Sequence, residues 1–396
     1  MVAANRWTVL AIIFAARTSM GYQFQSVGSV GPVLVEHLAI DFAMLGMLIG
    51  LYKLPGAILA YPAGLLGLRG GLKAMAALGL ALMAIGGAIT AYADALALAT
   101  AGRVLAGAGA VLFNVLSAAI VANWFVDKEI TLAMAIHVNS WPFGIALGLA
   151  TQAMLVEATS LRAMLFVTAL FCAVGWLLLV VLYREPTSAG ARSVPLRGRG
   201  GRLGGQAFVF VSLAAMVWLL FNAGLILVVG FAPAFLVAQG LSVSESGLLA
   251  SFGTWIGIAA IPLGGYVVHR WGHANLMMTV FLVGGGAIAI MIPWVDAWLV
   301  MFVLFGLVAW TPAGPIVALP VVHLTTENRA AGMGVFFSYY YLGIGLFAPL
   351  AGWLRDITGS PGAPLMFAGA LFGGALLFLA LLRNAEHRFS ARQRAA

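Results

Sequence analysis

Charge is scarce in this sequence: 20 basic and 12 acidic side chains make up only 8% of its 396 residues. A soluble chain carries about three times that density to cover its surface. The shortage excludes a water-soluble enzyme, a nucleic-acid binder and a disordered protein. The formal net charge of +8 does not restore nucleic acid as a partner, because the basic residues sit between long apolar runs and not on one amphipathic face. The partner for that charge is the anionic inner leaflet of a bilayer. Cysteine is nearly absent as well. Cys172 stands alone in an apolar run, which excludes an internal disulfide and a thiolate metal cluster. No G-x-S-x-G, H-E-x-x-H or G-x-x-x-x-G-K-[ST] occurs, and the six histidines are scattered, so no catalytic centre, resident metal or cofactor is expected and ATP does not drive this chain directly.

What is present is apolar: 63% of residues are hydrophobic and the mean hydropathy is +1.06. A spanning helix needs about 20 apolar residues, and the pattern predicts twelve of them. The expected spans are 7–36, 43–67, 73–92, 95–122, 131–157 and 161–184, then 206–238, 244–268, 273–292, 296–322, 331–357 and 361–384. The first run continues past Arg17 to Pro32 without a cleavage site of small residues, so it reads as an uncleaved first helix. With the N-terminus placed in the cytoplasm, fifteen of the twenty Lys and Arg fall on the cytoplasmic side, a strong positive-inside signal.

The one long interruption, 185–205, holds Pro186, Pro195, four arginines and several glycines, a composition that reads as a cytoplasmic linker. It divides the chain into a six-helix bundle at 1–184 and a second at 206–396 that ends in a short basic cytoplasmic tail. The halves repeat each other. A shift of 201 residues superposes Pro32 on Pro233, Gly46 on Gly247, Gly56 on Gly257, Gly64 on Gly265, Arg69 on Arg270 and Gly71 on Gly272.

The loop Gly64-Leu65-Leu66-Gly67-Leu68-Arg69-Gly70-Gly71-Leu72-Lys73, its counterpart Gly265-Tyr266-Val267-Val268-His269-Arg270-Trp271-Gly272, and Arg103-Val104-Leu105-Ala106-Gly107-Ala108-Gly109 together resemble the signature loops and the R-x-x-x-G-x-G motif of the major facilitator superfamily. The resemblance implies an all-α polytopic fold of two pseudo-symmetric six-helix bundles, with gating loops at Arg69, Lys73 and Arg270. The family's usual acidic position in those loops is held by Leu68 and His269, which puts a carboxylate latch there in doubt. Ser29-Val30-Gly31-Pro32-Val33-Leu34 after an intramembrane arginine is similar to cyanate-permease-like members. Arginines in helices 1 and 4 resemble organic-anion members.

The sharpest chemical feature is an asymmetry of buried charge. All twelve acids lie at predicted helix ends or in loops, whereas Arg17, Lys53 and Arg103 lie about eight to ten residues inside their spans. At 1.5 Å per residue that is roughly 12–15 Å deep in a core about 30 Å thick. A cation there costs at least about 2.5–3.5 kcal/mol, so water, carbonyl oxygens or a bound anion must satisfy it. Arg17 is too deep to snorkel. For Lys53, snorkelling and substrate contact both stand, and for Arg103 a structural role and ligand contact both stand.

Helical spacing adds Asn114 to the face of Arg103, and Tyr22 and Gln25 near the stripe of Arg17. Asn139, Trp218, Asn222, Trp310 and Tyr340 supply further polar and aromatic groups at mid-span, each with helix packing as the plainer reading. His137, in the fifth span, is the candidate for proton coupling. The expectation is a monomeric secondary transporter in a bacterial inner membrane, both termini cytoplasmic, moving a small organic or inorganic anion by alternating access, with protons a candidate coupling ion. Efflux of neutral or anionic drugs and a transport-incompetent membrane sensor are the alternatives.

Overall fold

The computed structural model describes residues 5–125, 129–185, 203–325 and 328–395. Most of the expected linker (186–202), together with Asp127, Lys128 and Glu327, lies outside them. Among the described residues the chain is helical throughout. Eight of the expected spans are single helices close to the predicted bounds: α5 (Leu72–Ala91), α6 (Leu96–Trp124), α7 (Ile130–Ala158), α8 (Leu161–Leu182), α9 (Gly205–Ala238), α10 (Val243–Trp271), α11 (Ala274–Met291) and α14 (Arg329–Thr358), with α15 (Ala363–Ala395) running past its predicted end.

Three expected spans are broken, and proline accounts for each break. The first divides into α1 (Arg6–Gln25) and α2 (Gly31–Leu38), with Pro32 in the first turn of α2. The second divides into α3 (Phe42–Leu51) and α4 (Gly56–Gly70) around Pro55. The tenth divides into α12 (Trp298–Ala309) and α13 (Ala313–Ala318) around Pro312, and a 3₁₀ turn, Leu319–His323, follows. Proline returns no N–H to the carbonyl four residues back, so each break frees backbone oxygens inside the apolar layer.

Eleven helices among the described residues are long and apolar enough to cross a membrane. The segment 6–38 is not one of them, because Arg17, Thr18, Ser19, Gln23, Gln25 and Ser26 make it polar. Those residues are all buried, so this segment is enclosed by other helices, principally α7 and α8. In the second half α9 takes the matching central place, enclosed by α14 and α15 and buried almost without interruption from Leu219 to Leu236.

The two halves meet through α3 and α4 against α14, and through α7 against α10. These contacts lie away from the chain termini. Gly46 faces α14 so closely that a Cβ would stand 2.1 Å from the Ala348 carbonyl, and Gly247, its repeat mate, faces α7 with 2.5 Å to the Leu149 carbonyl. At the same end the Phe42 and Ala43 N–H groups donate to Asp356 Oδ1 and Oδ2 (3.1 and 2.8 Å), and the Ser244 N–H donates to Glu157 Oε1 (3.0 Å). Each carboxylate thus caps a helix N-terminus of the opposite half, where the helix dipole favours negative charge. At the termini end, by contrast, the described ion pairs join residues of one half only: Arg6 with Glu129, and Glu386 with His323 and Arg383.

Candidate functional site

Pro142 sits inside α7 and leaves the Val138 carbonyl without a helical donor. Arg17 supplies the replacement. Its Nη1 donates to Val138 O (2.8 Å), His137 O (2.7 Å) and Ser140 Oγ (3.2 Å), and its Nε donates to Asn114 Oδ1 (3.1 Å) on α6. Nη2 makes no hydrogen bond to a described residue. The Nε and Nη1 donors of the guanidinium are therefore held by neutral dipoles, and Nη2 is the nitrogen left without a described acceptor.

The turn 52–55 places Lys53 beside this arginine. Its Nζ lies 3.5 Å from the ring centroid of Trp141, 5.3 Å from Phe24 and 5.8 Å from Tyr340. Aromatic faces stabilise a desolvated ammonium by about 2 kcal/mol, but they accept no proper hydrogen bond, and no acceptor among the described residues reaches Nζ. The Tyr341 ring packs on that of Tyr340, with centroids 5.1 Å apart. No Asp or Glu is among the buried side chains described, so the two cations share this space without a carboxylate.

Arg103 is arranged differently. It is only 2% exposed, and it donates from Nε to Leu48 O (3.0 Å), from Nη1 to Gln23 O (3.0 Å) and from Nη2 to Phe24 O (3.2 Å), with its guanidinium over the Tyr52 ring. Those carbonyls belong to the ends of α1 and α3, where the first two spans break. Arg103 ties both breaks to α6, and every nitrogen of its guanidinium is engaged by protein.

The other expected site residues divide. Asn114 and Tyr340 join Arg17 and Lys53. Trp218 is linked to them through Tyr340, with ring centroids 6.2 Å apart, and Asn222 donates to the Trp218 carbonyl of its own helix (2.9 Å). Tyr22 turns instead toward Thr151 (3.1 Å) and Phe171. Gln25 donates across the halves to Val229 O (3.2 Å). Trp310 packs on Gly257, whose Cβ would lie 2.6 Å from the indole. Asn139 Oδ1 and His137 Nδ1 are buried without a partner among the described residues, while the His137 carbonyl holds Arg17.

Of the expected gating residues, Arg69 and Arg270 are exposed in the last turns of α4 and α10. Lys73 reaches the Tyr183 carbonyl, and its N–H donates to Glu185 Oε1, which ties that loop to the end of α8. Trp141 and Phe24 lie against Lys53 although the sequence did not single them out for the site. The available signal for Trp141 was its place beside a mid-span proline. Among the described residues no group of three His, Cys, Asp or Glu converges to hold a metal.

A polytopic helical fold with two helix bundles around a charged central site defines a membrane transporter, not an enzyme. The profile of the Major Facilitator Superfamily matches residues 12–348, and the chain belongs to that family. Its fold is similar to the solved structure of a mutant of the nucleoside transporter NupG (TM-score 0.76, 14% identity, covering 96% of this chain and 99% of that one). It is also similar to a bacterial homolog of the human lysosomal transporter Spinster (TM-score 0.71, 16% identity, 100% and 98% covered). A curated relative, monocarboxylate transporter 9 of Gallus gallus, is 28% identical over 177 residues, which is 41% of this chain. The match spans about a third (34%) of that relative's length.

Proposed function

We propose that this transporter moves a small anion, with an organic carboxylate as the leading class, by alternating access of the segments 1–184 and 206–396 about the Arg17–Lys53 site. The observation that carries the reading is a pair of buried cations with no described buried carboxylate beside them, one with an unengaged Nη2 and the other with no described acceptor. A buried charge must be paired, and an anionic substrate supplies the partner. The chicken relative, whose name specifies monocarboxylate, supports a carboxylate. The cross-half caps on Asp356 and Glu157 support an arrangement closed at the end away from the termini, and the Lys and Arg distribution supports termini in the cytoplasm of a bacterial inner membrane. The protein acts as a monomer in this reading.

The test is a thermal-shift screen of purified protein against monocarboxylates, dicarboxylates, cyanate, nitrate and amino acids, followed by flux of the hits in proteoliposomes. A ligand of the folded state raises apparent stability. Specific transport of a permanent cation, or stabilisation by cations alone, overturns the anion reading.

A further inference from the structure

Arg17 and Lys53 are held in ways that leave two separate positive charges for a ligand to meet. Arg17 is fixed through Nε and Nη1 by Asn114, His137, Val138 and Ser140, all neutral acceptors, so its full charge remains. Lys53 comes from a different element, the turn after α3, and rests on the faces of Trp141, Phe24 and Tyr340. The remaining buried Lys or Arg among the described residues, Arg103, is consumed by carbonyls. The site therefore presents two uncompensated cations. When the halves close over a substrate, a monoanion leaves one of them unpaired in a dry space, at the cost of an uncompensated buried charge. A dianion neutralises both.

Resting on the anion reading above, we propose that the site selects a dianion, with one charged group on Nη2 of Arg17 and the second on Lys53 Nζ. Lys53 Nζ rests on aromatic faces, and no described residue accepts a hydrogen bond from it. Two cations on different elements suit two carboxylates on one small skeleton, and a divalent oxyanion such as sulfate presents the same charge in a more compact form.

The experiment is competitive binding to purified full-length protein by oxalate, malonate, succinate, glutarate and sulfate, set against acetate, propionate and L-lactate, in wild type and in the Lys53→Gln, Lys53→Arg and Arg17→Gln variants. Loss of one desolvated ion pair corresponds to at least about 30-fold in affinity. The expected result is that at least one dianion binds wild type more tightly than every monocarboxylate by about that factor. Lys53→Gln should erase the preference by weakening the dianion about 30-fold more than it weakens any monocarboxylate, and Lys53→Arg should keep it. Which dianion wins separates a dicarboxylate from a divalent oxyanion, and either supports the proposal. Equal or tighter binding of a monocarboxylate by wild type overturns the dianion proposal and leaves the anion reading standing. So does an equal loss of both classes in Lys53→Gln when the variant remains monodisperse. Absence of binding by every anion overturns both.

Discussion

Arg103→Ala separates structure from binding in this site. The guanidinium donates to the carbonyls of Gln23, Phe24 and Leu48 and lies over Tyr52. Gln23 O keeps the hydroxyl and N–H of Ser26 (2.8 and 3.3 Å), so two carbonyls are left short of a donor. At about 1–3 kcal/mol for each buried unsatisfied group the loss is about 2–6 kcal/mol, and the contact with the Tyr52 ring adds about 2. Removing a cation from mid-depth returns about 2.5–3.5 kcal/mol, which leaves a net loss of about 1–5 kcal/mol. The expected outcome is a lower apparent melting temperature in detergent, read by tryptophan fluorescence, with the anion affinity of the folded fraction at the wild-type value. The breaks at Ser26–Val30 and Tyr52–Pro55 should become the first regions to exchange amide hydrogens. A variant as stable as wild type that no longer binds anion would refute this reasoning and make Arg103 a substrate ligand.

Arg17→Gln has the opposite signature: anion affinity falls by at least about 30-fold, as expected for a desolvated charge pair losing one partner, while size-exclusion behaviour is retained, and wild-type affinity would remove Arg17 from the site. His137→Gln leaves counterflow exchange intact, because it is the His137 carbonyl that holds Arg17 and a glutamine supplies the same carbonyl. Loss of pH-driven accumulation with exchange preserved assigns coupling to His137, and loss of exchange itself contradicts both statements. Joint substitution of Asp356→Asn and Glu157→Gln removes the two charges that cap helices across the halves, and a charge at a helix terminus contributes about 0.3–1 kcal/mol. Thiol labelling of cysteines placed at 43 and 244 should then increase severalfold, and unchanged labelling would show that these caps do not hold the end closed.

Much of the architecture was written in hydropathy. Eight spans fall within a few residues of their helices because a membrane core demands an unbroken apolar run for each crossing, and that demand is local. The repeat was legible for a similar reason: Gly71 and Gly272 both adopt positive φ (81° and 71°), a backbone state that glycine reaches at least cost, so the same residue recurs at the same turn. Arg17 and Lys53 stood out because a cation amid apolar residues is conspicuous in any sequence.

Tertiary structure alone decided which polar groups meet. The spacing that put Arg103 and Asn114 on one helix face gave no sign that Asn114 would serve Arg17 from α1, since hydrogen bonds between residues 97 apart leave no periodic trace. Arg103 and Arg17 look alike in the sequence. They differ because the broken ends of α1 and α3 surround one with carbonyls, while Pro142 frees a carbonyl that engages only Nη1 of the other. Nor could spacing reveal that Trp141, on α7, would lie against Lys53 from the second span. Sequence by itself determined where the chain crosses an apolar layer and where it spends charge inside it. The packing of one helix against another decided which of those cations backbone oxygens engage on every nitrogen and which they engage in part, because that depends on carbonyls freed at breaks, brought together only when the helices assemble.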